Sequence, residues 1–85
     1  MKLEMKVDEI FVLDSKTIFS GALETSSKSV SNIECLLKVE DKIIAEILIR
    51  GEVHNRSGHR DLWTDDAVPL RQDQITTHTV ILVSK

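Results

Sequence analysis

Apolar and polar positions alternate with a period of two over two neighbouring stretches, residues 33–39 and 43–49. Ile33, Cys35, Leu37 and Val39 share one face of an extended chain, and Ile43, Ala45, Ile47 and Ile49 share one face of the next. Such a period belongs to half-buried strands, and two of them in succession predict a β-hairpin. Pairing Val39 with Ile43, Leu37 with Ala45 and Cys35 with Ile47 keeps apolar against apolar and calls for the three-residue loop Glu40-Asp41-Lys42. A single helix over 31–50 is the rival: Ser31-Asn32-Ile33-Glu34 fits a capping box, and no Gly or Pro interrupts residues 32–49. On a helical wheel, however, Glu40 enters the apolar arc of Ile33, Leu37, Ile44 and Ile47 while Cys35 and Val39 leave it. The β-branched content of the span also favours strand.

The same alternation opens the chain, with Leu3, Met5 and Val7 set against Glu4, Lys6 and Asp8. It then slips into the unbroken run Ile10-Phe11-Val12-Leu13, which predicts a β-bulge near Asp8-Glu9. Asp14-Ser15-Lys16 reads as a turn, and residues 17–25 as the returning strand. Gly21 sits inside that strand, where a glycine marks a bulge or the close approach of another backbone. Residues 26–31 form a polar connection. Gly51 ends or bends the fourth strand. Residues 54–74 show no clean period and carry Gly58 and Pro69, so they read as one long loop. Residues 75–83 read as a closing strand, with Ile75, Thr77, Thr79, Ile81 and Val83 on one face.

The expected fold is therefore all-β: a small five- or six-stranded antiparallel barrel, or a strongly curved sheet, with one long loop at 54–74. A length of 85 residues makes residues 1–85 a single β-rich domain with a thin core. The net charge of -3 speaks against a general nucleic-acid binder, which needs a basic patch or stripe. Neither a secretory leader nor an apolar run of bilayer-spanning length is visible, and the single cysteine, Cys35, lies among apolar neighbours as a buried thiol does. These features predict a cytoplasmic protein with no membrane contact.

Candidate chemistry gathers in His54-Asn55-Arg56-Ser57-Gly58-His59-Arg60-Asp61. Imidazole and carboxylate are zinc ligands. Yet the spacing of His54 and His59 is not that of a helical pair, and no matched further ligands follow. Ser57 lies between the two histidines without the Gly-x-Ser-x-Gly frame of a hydrolase nucleophile, and both phosphate-binding glycine motifs are absent. No cofactor, metal or catalytic residue is assigned. The binding candidates are Trp63, Arg56, Arg60, His54 and His59: an exposed Trp flanked by Arg is an interface anchor, and the same groups suit a base stack beside a phosphate backbone. The reading these residues support is a non-enzymatic binding or interaction module. Its partner is a protein or a second copy joined at an open sheet edge, as in a homodimer. A small metal- or histidine-dependent enzyme using His54, His59 and Asp61 is the alternative, and a nucleic-acid-binding barrel the next.

One family resemblance covers residues 7–24. Val7-Asp8-Glu9-Ile10-Phe11-Val12-Leu13 followed by Thr17-Ile18-Phe19-Ser20-Gly21-Ala22-Leu23-Glu24 resembles the opening of the second, β-barrel domain of translation elongation factor Tu-type GTPases. Asp8, Phe11, Thr17, Ile18, Gly21 and Glu24 stand in the corresponding places. The chain departs from the family's pattern where Ser27 and the Ser31-Asn32 pair replace glycines. The resemblance implies a closed six-stranded barrel that contacts RNA or protein without hydrolysing nucleotide.

Overall fold

A computed structural model describes the backbone of residues 3–25, 30–56 and 59–85, and the side chains of all these except 25, 53–56 and 59. Seven strands form one antiparallel sheet curled into a half-barrel: β1 (Leu3–Leu13), β2 (Lys16–Thr25), β3 (Ile33–Val39), β4 (Lys42–Ile49), β5 (Gly51–Arg56), β6 (His59–Thr64) and β7 (Val80–Ser84). A short helix, α1 (Gln72–Thr77), precedes β7. The strand order is β4-β3-β7-β1-β2-β6-β5. The all-β expectation holds, but the strand count exceeds it. The two outermost strands, β4 and β5, are consecutive in the chain and separated only by Arg50, whose N–H bonds the Trp63 carbonyl at 2.9 Å. One long segment thus pairs with β3 along its first half and with β6 along its second, and this is what bends the sheet round.

The first hairpin follows from its sequence. Val7 pairs with Gly21 and Glu9 with Ser20, so Asp8 is the extra residue of a bulge that absorbs the slip in phase. Gly21 is the counterpart of that bulge. A Cβ built there would lie 2.0 Å from the Lys6 carbonyl oxygen, so only glycine lets the two backbones approach. Asp14 and Ser15 form the reversal with positive φ at both, the geometry whose twist matches a two-residue hairpin.

The second hairpin has the expected pairs Cys35–Ile47 and Leu37–Ala45, but not the expected loop. Glu40 and Asp41 make a two-residue turn, both at positive φ, with Val39 paired to Lys42 and Lys38 to Ile43. Ile44 is bulged out, and this restores the apolar register that a two-residue turn alone would break. Positive φ is costly for glutamate. Here Glu40 is held at both ends: its N–H bonds the Thr79 carbonyl at 3.0 Å, and its carboxylate accepts the Thr79 N–H at 2.7 Å.

Two expectations for the C-terminal third are corrected. Residues 54–74 are not one loop, since β5, β6 and the start of α1 occupy most of them. Residues 75–83 are not one strand. Residues 72–77 coil, with Gln74 accepting the Arg71 N–H at 2.9 Å and Ile75 buried, and the strand begins only at Val80. Its inward residues are Val80 and Leu82, on the face opposite Ile81 and Val83. The β-branched residues around Ile75 carry a strand-like alternation, but Ile75 meets the core from a helix, tied to β1 where the Ile10 N–H bonds the Gln72 side-chain Oε1 at 2.8 Å.

The core fills the inner face: Leu3, Met5, Val7 and Ile10 from β1, Phe19 from β2, Cys35 and Leu37 from β3, Ile47 and Ile49 from β4, Leu62 from β6, Val80 and Leu82 from β7, closed by Val30, Leu70 and Ile75. No helix among the described residues is long and apolar enough to cross a membrane.

Candidate functional site

Strand β6 divides its side chains between two surfaces. Arg60, Leu62 and Thr64 point to the inner face, Asp61 and Trp63 to the outer. The inner set is structural. Arg60 grips Glu52 through both carboxylate oxygens (Nε to Oε2, 3.0 Å), and Glu52 also accepts the Val30 N–H at 2.8 Å. The two side chains are 15% and 12% exposed, so the pair forms part of the floor of the half-barrel and is not offered to solvent. Thr64, fully buried, donates to the Leu48 carbonyl at 2.8 Å and accepts the Asp66 N–H at 3.0 Å. The Asp66 carboxylate in turn accepts the Leu48 N–H at 2.9 Å. Both backbone groups of Leu48 are thereby occupied, and the bulge at Ile44 interrupts the same edge strand.

The outer face is different. The register sets Phe11, Ile18, Trp63 and Gly51 in one row across four strands. Ile18 is 1% exposed yet stands apart from the inner core, so its cover lies on the outside of the sheet. Phe11 beside it is 41% exposed, and Leu13, two residues on, is 54% exposed. The Lys16 ammonium lies 4.6 Å from the centre of the Trp63 ring, a cation–π contact. Gly51 makes room for the indole: a Cβ there would come within 3.2 Å of Nε1.

The neighbouring row is polar. It runs Glu9, Ser20, Asp61, His54 in register. Ser20, 6% exposed, donates from its hydroxyl to Asp61 Oδ1 at 2.5 Å. One step further, Arg56 stands opposite His59. Directly opposed residues share a face, as do residues two apart on a strand. The register positions of His54, Arg56, His59, Asp61 and Trp63 therefore all belong to the outer face. The side chains of His54, Arg56 and His59 lie outside the described residues. Of the five binding candidates in the sequence, four fall on this face by position, and Arg60 stands on the other.

Lys16, Ile18, Phe11 and Ser20 are the members of this surface that sequence reasoning did not collect. Their strand was legible; the strand that lies beside them, β6, was not. Elsewhere, Cys35 is fully buried, and burial pushes its thiol up to about 11, which leaves it protonated and unreactive near neutrality. His78 lies at the opposite end of the fold, in a polar groove of about 340 Å³ shared with Lys6, Asp8 and Glu40, its Nδ1 2.8 Å from the Thr77 hydroxyl. Among the described residues no group of three His, Cys, Asp or Glu side chains is arranged to hold a metal ion. No protein-family model, curated protein or solved structure matches this chain.

Proposed function

We propose that the chain is a non-enzymatic interaction module that binds a protein partner through the outer face around Trp63. The observation that carries this reading is Ile18. A half-barrel with its core inside needs no apolar layer outside, yet Ile18 is buried there, beside a part-exposed Phe11 and an indole covered by a lysine. A rigid aromatic anchor set among apolar neighbours and rimmed by charge is the composition of an interface centre. The resemblance of residues 7–24 to a contact-making barrel domain agrees with this role. Protein is favoured over nucleic acid because the net charge is -3 and Arg60, one of the few cations near Trp63 in sequence, is engaged on the inner face.

The test is affinity capture from the native cell with the intact chain, Phe11→Asp, Trp63→Ala and, as a control on the other hairpin, Ile43→Asp. Ile43 is 58% exposed and stands off the proposed surface, on β4. A protein retained by the intact chain and Ile43→Asp, and lost by both outer-face variants with their folds intact, supports the reading. Equal capture by all four chains overturns it.

A further inference from the structure

We propose that two copies of the chain dimerise by packing the outer faces of β3, β7 and β1 against each other, about a two-fold axis that runs across these strands. The starting observation is the composition of β7. Val80-Ile81-Leu82-Val83 is an unbroken apolar run on a strand in the middle of the sheet, the pattern of a strand covered on both faces. Val80 and Leu82 belong to the inner core. Ile81 and Val83 take the outer positions, stand apart from that core and from the side chains packed on it, and remain partly open to solvent. Leu36 on β3 lies beside Val83 in the same condition.

The charges around this patch decide what covers it. Strand register sets two neighbouring rows on the outer face: Leu36, Val83 and Glu4 in one, Lys38, Ile81 and Lys6 in the other. One row ends at β1 in an acid where the other ends in a base. A two-fold lying between the rows, across the strands, lays each row on the other row of the second copy. Val83 then meets Ile81 of the second copy, Glu4 meets its Lys6, and the apolar stem of Lys38 covers its Leu36, each contact occurring twice by symmetry. A two-fold along the strands, through β7, instead sets Lys38 over Lys6 of the second copy and Leu36 over its Glu4. That opposes like charges and presses a carboxylate on a leucine. The face thus carries both halves of a complementary surface, and one of the two symmetric packings uses them. Glu4 and Lys6 are exposed, and neither makes an ion pair with another described residue. The outside of a curled sheet is convex, which confines contact to these central rows and gives a small, reversible interface.

The test is self-association of the full chain by sedimentation equilibrium from about 10 µM to about 1 mM, the range of a small interface. The average mass is expected to climb from that of one chain towards that of two. Glu4→Lys and Lys6→Glu each weaken the dimer by about tenfold or more, because each sets like charges together twice, and the double exchange restores it. Dilution of the unsubstituted chain is expected to shift the amide resonances of residues 4, 6, 36, 81 and 83 and to leave the Trp63 indole resonance in place, a readout that needs no variant to fold. A chain that stays monomeric to about 1 mM leaves this face to some other partner and overturns the proposal. So does a dimer indifferent to both charge reversals, a double exchange that fails to restore it, or dilution shifts centred on Trp63. The capture experiment above turns on other residues, so the two proposals fail separately.

Discussion

The two faces of β6 use similar residues to opposite ends. On the inner face, a charged side chain is consumed: Arg60 is locked to Glu52, and Thr64 bridges Leu48 and Asp66. On the outer face, an aromatic side chain is kept at the surface: Trp63 lies in a row with a buried Ile18 and a part-exposed Phe11, under Lys16. Along β6, polar Arg60 and Thr64 sit inside on either side of the core residue Leu62 while Trp63 faces outward, a local inversion of the ordinary arrangement. The inner face is where disruption threatens the fold, and the outer face carries the surface proposed for partner contact.

Substitutions can break this contrast in graded steps. Gly21→Ala is the most severe, because the new methyl meets backbone at Lys6 and no rotamer relieves it. A loss of about 3 kcal/mol is expected, with a fall in melting temperature of more than about 10 °C for a domain of this size. Arg60→Ala comes next. It leaves Glu52 low in exposure with one partner removed and costs about 2–3 kcal/mol by chemical denaturation. Replacing both members, Glu52→Leu with Arg60→Leu, is expected to cost less than the single change. Thr64→Val, which removes two hydrogen bonds at a buried position, costs about 1–2 kcal/mol. Lys16→Ala is the mildest, at about 0.5–1 kcal/mol, and Trp63 fluorescence shifts as the ring loses its cation. A Lys16 effect larger than that of Arg60 reverses the assignment of the two faces.

The same inversion explains what could be read from the chain. The first hairpin was legible almost in full, down to the bulge near Asp8-Glu9 and the need for Gly21, because Leu3, Met5 and Val7 alternate cleanly with charge. The second hairpin gave its core pairs but not its turn, since the strain at Glu40 is relieved by Thr79, a residue 39 positions away that no local pattern reveals. Strands β5 and β6 were missed because Arg60 and Thr64 point inward while Asp61 and Trp63 point out, so no apolar period survives. The candidate site suffered likewise. Its residue types were named, but their grouping needed strand partners, and four of the five candidates came to one face only through the β5–β6 register. Helix α1 hid behind the β-branched residues of 75–80, where Ile75 reaches the core from a coil of backbone.

Strand β7 lies at the middle of the sheet, between β3 and β1, although it is the last strand of the chain. The β1–β2 and β3–β4 hairpins form from neighbouring residues, but across β7 they are joined only once residues 80–84 have arrived. The ladders β7 makes with β3 and β1 are therefore long-range contacts, which carry a larger loop-closure cost than the local hairpins. Deleting the final five-residue strand would not trim this fold at its margin; it would cut the sheet through its centre.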